Sequence, residues 1–250
     1  MEQRRSQIVE LVNSRGSISF AQLKEAFPSV SEMTLRTDLK ALDQARRVVR
    51  VHGGVKSVEQ VIGTDDLLSR RSARNAGAKQ RIAEKAAALL RPNSTLFLDS
   101  GSTATAVARC LPDEPMLIYT SGLTCAAELA RLEKPRVALP GGTLNRFSMS
   151  VCGIQSVLEL GGINFDWFFL GVTSYSPDTG FTCGVEEEAR LKQAVLRRAE
   201  RTAVLLDRSK IGLKSTFHIC GLPEVDFIVS DGELPQGFLQ ACAENGVTVI

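Results

Sequence analysis

The sequence predicts an α/β protein in which a small domain of three helices and a β-hairpin precedes a larger domain built on a mostly parallel sheet. In the first part, amphipathic helical patterns lead into alternating residues and paired glycines, a pattern typical of a hairpin. Beyond Lys79, short apolar runs alternate with helical patterns, which favours a parallel sheet covered on both faces. We therefore place the small domain at 1–58, a linker at 59–78 and the large domain at 79–250.

Composition and charge support the same division. The chain has 250 residues, of which 44% are hydrophobic and 23% charged, as in a globular protein that buries a core. Residues 1–58 contain 10 Lys and Arg against 6 Asp and Glu, a net charge of +4, so the remaining 20 basic and 22 acidic residues give −2. A basic small domain beside a nearly neutral one is typical of a protein that approaches DNA.

The first two helices are short. We expect the first at 2–13, followed by a short edge strand at Ser17–Ser19. Ser19, with Gln22 three residues later, forms a capping box for the second helix, which ends before Pro28. The apolar residues expected on these two helices are Ile8, Val9, Leu11, Val12, Phe20, Leu23 and Phe27.

A third helix and a basic hairpin follow. Ser31 is a favourable N-cap, because its hydroxyl can accept a hydrogen bond from a backbone N–H of the first turn. The opposite face of this helix is polar, and the hairpin turns at Gly53 and Gly54. The apolar positions of the helix, which we expect to face the core, are Met33, Leu35, Leu39 and Leu42.

The order of these elements predicts DNA binding. An amphipathic helix or an arginine cluster by itself is usually a solvated surface. Three helices followed directly by a basic hairpin, however, form a winged helix-turn-helix domain, whose third helix enters the major groove. The residues expected to contact DNA are Ser31, Glu32, Thr34, Arg36, Thr37, Lys40, Arg47, Arg50, His52 and Gly53.

This region resembles the N-terminal domain of the DeoR/GlpR family of bacterial transcriptional regulators. The matching segments, in family order, are RRSQIVELV, SISFAQLKEAF, VSEMTLRTDLKAL and RVHGGV. Thr37 stands where a second arginine usually follows Arg36, Arg46 stands where a glycine often ends the helix, and the turn containing Pro28 is one residue longer. The resemblance implies sequence-specific DNA binding, and the departures bear on the operator sequence.

The segment at 56–78 has weak periodicity. We interpret it as a solvated linker with one short helix around 65–74. In an alternative interpretation, its basic residues Arg70, Arg71 and Arg74 touch the DNA backbone. For the large domain, the pattern predicts helices at 79–90, 102–111, 123–132, 154–160, 187–201 and 237–245, and strands at 95–99, 116–120, 136–139, in the WFFLGV segment, and at 203–207, 225–229 and 247–250.

Polar, glycine-bearing turns follow several of the predicted strands. Parallel sheets bind ligands at the carboxyl ends of their strands. The turn Ser100, Gly101, Ser102, Thr103 follows LFLD and opens a helix, so it can hold an anion through its hydroxyls and N–H groups, although such a turn is also a common helix cap. Similar turns lie at 120–122, 140–143, 171–173 and 207–210. Together they indicate a small polyhydroxylated phosphate ester as the ligand.

The large domain resembles the C-terminal sensor domain of the same family, which is similar to the Rossmann-like folds of the ribose-5-phosphate isomerase and CoA-transferase group. The matching segments are K-x-x-I-A from Lys79, LDSGST, TSGL, PGGTL, FDWFFLGV, DTGFT, EEEARLK and LLDRSKIG. The resemblance implies a sugar-phosphate effector whose phosphate is bound by Ser100, Ser102 and Thr103. The other residues implied to line the pocket are Asp99, Thr120, Gly142, Glu187, Asp207 and Lys210.

Two other functions remain open from the residues alone. A sugar-phosphate isomerase needs a carboxylate base and usually a lysine. In the isomerases that this half resembles, acids follow the equivalent glycine and a lysine precedes a glycine-rich loop, whereas this chain has Thr173, Ser174 and Cys183 there. We therefore expect no enzyme activity and no catalytic residues. A purely architectural DNA-binding protein is the other alternative, but the large domain exceeds what dimerisation requires.

The remaining residues predict few partners beyond DNA and effector. The six cysteines are single, so we expect buried free thiols, with neither a metal site nor a cofactor. The sequence contains no signal peptide and no membrane-spanning run, which predicts a cytoplasmic protein. Because winged domains usually bind paired half-sites, we expect a homo-oligomer, a dimer or a tetramer, that represses carbohydrate metabolism genes.

Overall fold

The computed structural model describes residues 2–45, 47–51, 53–57, 68–232 and 234–250. The chain divides into two compact units, Met1–Asp66 and Leu67–Ile250. Residues 59–67 of the predicted linker lie outside the described residues, while 68–78 belong to the second unit. Among the described residues, no helix has the length and apolar character needed to cross a membrane.

In its described residues, the first unit contains three helices and a small antiparallel sheet. Its elements are α1 (Glu2–Arg15), β1 (Ser17–Ser19), α2 (Phe20–Ala26), α3 (Glu32–Gln44), β2 (Val49–Val51) and β3 (Gly54–Lys56). The strands lie in the order β1-β3-β2, so the predicted edge strand pairs with the hairpin as expected. The core of this unit is formed by Ile8, Val12, Ile18, Leu23, Leu35, Leu39, Leu42, Val48 and Val55.

Local sequence determines where these elements begin. The Ser19 hydroxyl accepts the Gln22 N–H while the Gln22 side chain accepts the Ser19 N–H, which confirms the capping box. Gly54 has no room for a side chain, because an added Cβ would lie 2.5 Å from the Ile18 carbonyl oxygen. This close approach of β3 to β1 explains the glycine at that position.

One core prediction in the first unit is wrong. Met33 is 76% exposed, whereas Leu35, Leu39 and Leu42 are buried. The buried side of α3 follows the spacing 35, 38, 39 and 42, and it includes the carboxylate of Asp38. Met33 lies on the other side of the helix, because the 3.6-residue period places it above Arg36 and Thr37.

The second unit is an α/β domain. Its elements are α4 (Leu68–Ala73), α5 (Ala76–Ala87), β4 (Thr95–Leu98), α6 (Ser102–Cys110), β5 (Leu117–Thr120), α7 (Leu123–Leu129), β6 (Arg136–Ala138), β7 (Thr143–Asn145), β8 (Ser150–Cys152), α8 (Ile154–Leu160), β9 (Phe165–Gly171), β10 (Ser174–Ser176), β11 (Gly180–Cys183), α9 (Glu186–Leu196), β12 (Ala199–Leu206), β13 (Phe217–Cys220), β14 (Phe227–Ser230), α10 (Gln236–Glu244) and β15 (Thr248–Val249).

The main sheet of this unit is parallel and covered on both faces. Within the described residues it has seven strands in the order β15-β14-β12-β9-β4-β5-β6. Successive residues of a strand point to opposite faces, so Phe168 contributes to one core cluster, and Trp167 and Phe169 to the other. Near-continuous apolar strands are what a doubly covered parallel sheet requires, as the sequence predicted.

In the described part of the second unit, two small antiparallel sheets are present that the sequence pattern does not predict. One is the hairpin β7–β8, and the other has the order β10-β11-β13. The sequence predicts a helix at 187–201, which is too long. In the structure α9 ends at Leu196 and β12 begins at Ala199. Ala199 and Arg201 pair with Phe165 and Trp167 of β9, so pairing with the neighbouring strand overrides the helical pattern.

The cysteines lie in the second unit. All six are free thiols, and five are buried while Cys110 is half-buried. Burial raises the pKa of the Cys125 and Cys220 thiols to about 12, because the thiolate is poorly solvated there. These groups therefore remain neutral thiols at physiological pH.

Candidate functional site

The outer face of α3 is polar and exposed. Glu32, Met33, Arg36, Thr37 and Lys40 are all exposed and follow the spacing of a single helix face. Ser31 caps the helix, since its hydroxyl accepts the Thr34 N–H at 3.1 Å. This face of α3 therefore presents cations, a carboxylate, a hydroxyl and a thioether side chain on one surface. The thioether belongs to Met33, which the apolar spacing predicts to face the core.

Two contacts orient the side chains of this face. The guanidinium carbon of Arg36 lies 4.2 Å from the centre of the Phe20 ring, and its Nη2 lies 3.9 Å from the Glu32 carboxylate. The Thr37 hydroxyl donates to the Met33 carbonyl oxygen at 2.9 Å. Arg36 is therefore positioned against α2, whereas the Thr37 hydroxyl proton is donated to the backbone of its own helix.

A buried carboxylate attaches α3 to α1. Asp38 is 2% exposed and accepts from the Nε atoms of Arg4 and Arg5 at 2.7 and 2.8 Å. Burial raises the pKa of Asp38, but the hydrogen bonds and charges of the two arginines outweigh burial and lower it below its usual value. Asp38 is therefore ionised at physiological pH and fixes α3 relative to α1.

The hairpin carries the remaining residues predicted to contact DNA. Arg50 is exposed, and its backbone N–H donates to the Asp43 carboxylate at 3.0 Å, while Arg47 is half-buried. Gly53 has a φ of +77° and its carbonyl oxygen accepts the Phe20 N–H at 2.9 Å. His52 lies outside the described residues. The hairpin is thus joined to the start of α2 through backbone groups.

In the second unit, the carboxyl ends of β4, β9 and β12 lie side by side. Since the strands are parallel neighbours, Asp99, Gly171 and Asp207 lie at the same edge of the sheet. Asp99 Oδ2 accepts the Gly171 N–H at 2.9 Å and lies 3.1 Å from Lys192 Nζ. Lys192 Nζ of α9 also donates to the Gly171 carbonyl oxygen at 2.8 Å. The sequence analysis does not single out Lys192, which is therefore an added residue of this site.

The charges of this buried pair depend on each other. Burial raises the pKa of Asp99, and the nearby Lys192 opposes that rise. Burial lowers the pKa of Lys192, but the negative charge of Asp99 outweighs burial and the net shift is upward. Asp99 Oδ1 is buried and accepts no hydrogen bond from the described residues. One carboxylate oxygen therefore remains available to a donor.

The hydroxyl-rich turn after β4 leads directly into α6. Gly101 precedes the helix with a φ of +101°, and no side chain caps the first turn. Ser100, Ser102 and Thr103 are buried, yet within the described part of the chain their hydroxyls have no hydrogen-bond partner. Uncapped N–H groups and unpaired hydroxyls at a helix N-terminus are suited to binding an anion.

Arg71 of α4 lies over this turn. Its Nη2 would be 3.1 Å from a Cβ added to Gly101, so the guanidinium approaches the backbone there. No carboxylate of the described residues forms an ion pair with Arg71. The Lys79 ammonium of α5 donates to the carbonyl oxygens of Arg71 and Arg74 and so fixes the end of α4. The sequence analysis places Arg71 in the linker. Its position beside the 100–103 turn results from the packing of α4 and has no signal in the local sequence.

A second group of charges lies at the end of β12. Asp207 accepts the Ser209 N–H at 3.0 Å, and its Oδ2 lies 3.9 Å from Lys210 Nζ. Burial lowers the pKa of Lys210 to about 8, in spite of Asp207, and the positive charges of Arg71 and Lys79 lower it further. An open cleft of about 610 Å³ borders Asp207 and Ser209.

The other predicted pocket residues have different surroundings. Thr120 is buried, and its hydroxyl accepts the Gly122 N–H at 3.1 Å, so it stabilises the next turn. An added Cβ at Gly142 would lie 2.6 Å from the Cys152 carbonyl oxygen. Glu187 is exposed on α9, whereas Glu188 accepts from the Ser150 hydroxyl at 2.8 Å and is near Lys192. Glu188 is therefore the acidic residue of α9 that lies closer to the buried pair.

The positions compared with isomerases hold no acid–base pair. The Ser174 hydroxyl lies 2.8 Å from both the Thr182 and the Ser215 hydroxyls. Burial raises the pKa of Cys183, whose thiol donates weakly to the Val185 carbonyl oxygen at 3.5 Å. Within the described ranges, no cluster of His, Cys, Asp and Glu is arranged to hold a metal ion.

Comparison with known proteins relates both units to one family. Residues 4–61 match the DeoR-like helix-turn-helix domain, and residues 74–232 match the DeoR C terminal sensor domain. The chain is 32% identical to the HTH-type transcriptional regulator GlpR of Haloferax volcanii, covering 99% of this chain and 96% of that protein. It is 30% identical to the HTH-type transcriptional regulator GolR of Listeria innocua, covering 99% and 97% of the two chains.

Two further similarities complete the comparison. The chain is 30% identical to the glycerol-3-phosphate regulon repressor of Escherichia coli K12, covering 98% of this chain and 96% of the repressor. The ribose 5-phosphate isomerase of Methanocaldococcus jannaschii shares 18% identity over 53% of each chain, with a TM-score of 0.38. A structural similarity at that level does not bear on function.

Proposed function

Because this chain belongs to the DeoR family of transcriptional regulators, we propose that α3 and the hairpin bind an operator and that a small phosphorylated sugar in the second unit changes the affinity for it. The observation that carries the effector proposal is the 100–103 turn, whose hydroxyls and helix N-terminus lie beneath the guanidinium of Arg71. The regulated genes, on this proposal, belong to carbohydrate metabolism, and the regulator represses them.

The outer face of α3 supports a docking mode in the major groove. Arg36 can donate two hydrogen bonds to a guanine edge, and its stacking on Phe20 reduces the conformational entropy lost on binding. Met33 is exposed beside it and can contact a thymine methyl group. Lys40 and Arg50 are exposed and suit phosphate contacts. The remaining residues proposed to contact DNA are Ser31, Glu32, Thr34, Thr37, Arg47, His52 and Gly53.

The phosphate of the effector is proposed to bind the 100–103 turn. A phosphate dianion needs several donors and compensating positive charge. Ser100, Ser102 and Thr103 provide hydroxyls, Gly101 allows close approach of the backbone, and Arg71 provides a guanidinium without a carboxylate partner among the described residues. Lys192 is already paired with Asp99, so Arg71 is the cation best suited to the phosphate.

The sugar hydroxyls are proposed to meet the carboxylates at the same sheet edge. Asp99 Oδ1 is an acceptor without a partner in the described residues, and a sugar hydroxyl can donate to it. Asp207 and Lys210 lie at the end of the neighbouring strand β12. Thr120 and Gly142 shape the adjacent turns, while Glu188 rather than the exposed Glu187 faces inward. A relative named for a glycerol-3-phosphate regulon is consistent with a small ligand of this class.

Regulation follows from linkage between the two binding events. If the effector binds better to the arrangement that does not bind DNA, it lowers operator affinity by the factor by which DNA lowers effector affinity. Winged domains usually act in pairs on repeated half-sites, so the regulator is proposed to act as a dimer or tetramer.

Catalysis by an isomerase mechanism is not part of the proposal. Thr173 and Ser174 offer no carboxylate, and Cys183 is a buried neutral thiol. Relatives that match nearly the whole chain are named as transcriptional regulators.

Thermal unfolding with small phosphorylated sugars and polyols, including glycerol 3-phosphate, tests the effector proposal. An effector should stabilise the protein by about 2.7 kcal/mol when its concentration is a hundredfold above Kd. The unphosphorylated counterparts serve as matched controls and should give no shift. If no phosphorylated compound raised the unfolding temperature, the effector proposal would be rejected while the DNA-binding proposal would stand.

A further inference from the structure

The surface formed by α8 and α9 is apolar at one helix and charged at the other. Ile154 and Leu158 lie one turn apart on α8 and are 74% and 73% exposed. They are the most exposed large apolar side chains among the described residues of the second unit. Water-exposed aliphatic side chains that are adjacent on a helix are costly to solvate, so this face is suited to burial against a partner.

A groove of about 430 Å³ separates this face from α9. Ile154 and Val157 line it from α8, and Glu187, Arg190 and Arg197 line it from α9. Glu186 and Glu187 are exposed in the first turn of α9, while Arg197 and Arg198 are exposed directly after its last residue, Leu196. The helix therefore has an acidic end and a basic end on the same exposed surface.

This charge distribution is complementary to itself when the helix is reversed. Arg190 is paired with Glu186 of its own helix at 2.6 Å, but neither Glu187 nor Arg197 has an ion-pair partner in the described residues. Glu187 and Arg197 are about 15 Å apart along the axis, at 1.5 Å per residue. If two copies of α9 pack antiparallel, Glu187 of each copy meets Arg197 of the other, and the exposed residues of α8 lie at the same interface.

We propose that the α8–α9 surface binds a second copy of this chain about a two-fold axis, with α9 antiparallel to its symmetry mate. A two-fold interface uses the same patch on both copies, which requires a self-complementary surface of this kind. Ile154 and Leu158 supply the buried apolar part, and the two Glu187–Arg197 pairs set the direction of the helices. The proposal rests on the dimer or tetramer of the proposed function and names the surface that forms it, whichever ligand the second unit binds.

The apolar part is tested by sedimentation equilibrium of the full chain. Ile154→Glu and Leu158→Glu should each weaken self-association by roughly 100-fold, because each places a carboxylate in the apolar part of the interface beside α9. Leu213→Glu is the matched control, since Leu213 is 49% exposed and does not line this groove, so its substitution should leave the mass unchanged. A wild-type chain that is monomeric at every concentration would overturn both this proposal and the dimer or tetramer of the proposed function. A wild-type oligomer that neither substitution at α8 weakens would overturn this surface alone.

The orientation is tested by exchanging the two charges. Glu187→Arg and Arg197→Glu should each weaken self-association by roughly tenfold, because each places like charges opposite one another twice. The double variant Glu187→Arg with Arg197→Glu should recover most of the wild-type affinity. Circular dichroism of each variant checks that the fold is intact. If folded single variants associate like wild type, or if the double variant shows no recovery, the antiparallel two-fold arrangement is wrong.

Discussion

Lys192 Nζ lies 3.1 Å from Asp99 Oδ2, and both side chains are almost completely buried. Asp99 follows β4, Lys192 belongs to α9, and both side chains also bond the backbone of Gly171 at the end of β9. The pair therefore joins two strands and a helix at the sheet edge that leads into the 100–103 turn. Its position makes the geometry of that turn dependent on a buried ion pair.

Removing one member of this pair should destabilise the second unit. Asp99→Asn or Lys192→Met alone should lower the free energy of unfolding by about 3–5 kcal/mol, because each leaves a buried charge without its partner. The double variant should lose clearly less than the sum of the two, since it leaves neither charge buried. Urea unfolding followed by tryptophan fluorescence measures all three. Strictly additive losses would mean that the two side chains do not interact in the folded state.

Substitution of Arg71 should weaken binding of the effector phosphate without changing operator binding. Arg71→Ala should weaken binding of the active sugar phosphate by about 10–100-fold, the range expected for a lost charge-assisted hydrogen bond. Operator binding without effector should be unchanged. Arg109→Ala is the control, because Arg109 lies at the far end of α6 and pairs with Glu128. Calorimetric titration gives both affinities, and equal effects of the two substitutions would exclude Arg71 from the site.

Lys210 should make effector binding depend on pH. The charged groups that act on Lys210 are Asp207, Arg71, Lys79 and Lys192, and burial lowers the pKa of Lys210 to about 8. Protonated Lys210 adds positive charge to the pocket that receives the negatively charged effector, so binding should be strongest below that pKa and weaken as pH rises through it. Between about pH 7 and pH 9, the dissociation constant should rise by about tenfold.

The matched variant for this pH dependence is Lys210→Arg. Arginine keeps its charge throughout this range, so the rise in dissociation constant should disappear. Because phosphate monoesters gain their second charge near pH 6, the titrations should start above about pH 6.5. An unchanged pH profile in Lys210→Arg would assign the dependence to another group.

Substitutions on the outer face of α3 should distinguish residues that contact bases from residues that contact phosphates. Arg36→Ala should cost about 1–3 kcal/mol and relax the preference at one base pair, whereas Lys40→Ala should weaken binding about equally for all sequences. Met33→Ala should remove a preference for thymine at one position with little change in salt dependence. Anisotropy titrations on operator variants at fixed salt measure these effects. If Arg36→Ala binds every variant like wild type, α3 is not the recognition helix.

The sequence predicted the parts of the fold that depend on local rules. The Ser19 capping box, the Ser31 cap and the alternating strands and helices of the second unit are all present. Each follows from side-chain chemistry within a few residues or from the period of buried positions. Met33 was assigned wrongly, because a broadly helical apolar spacing does not tell a core residue from one on the exposed edge of the helix.

The candidate site was predictable only in part. The 100–103 turn carries its own signal, since hydroxyls and glycine precede a helix. Lys192 and Arg71 carry no such signal. Lys192 lies 93 residues from Asp99 along the chain and Arg71 lies 30 residues from Gly101, and each reaches its neighbour only through the packing of α9 or α4. Glu188 and Glu187 are adjacent, and only the orientation of α9 decides which one faces inward.

Release of operator DNA by a sugar phosphate tests the central claim most directly. The purified full chain is titrated on DNA from upstream of its own gene by fluorescence anisotropy, at fixed salt, with and without phosphorylated sugars and their unphosphorylated counterparts. We predict specific binding that one phosphorylated compound alters in wild type, while the variant Ser102→Ala with Thr103→Ala binds the operator normally and no longer responds. A double variant that responds like wild type would contradict the assignment of the phosphate to the 100–103 turn.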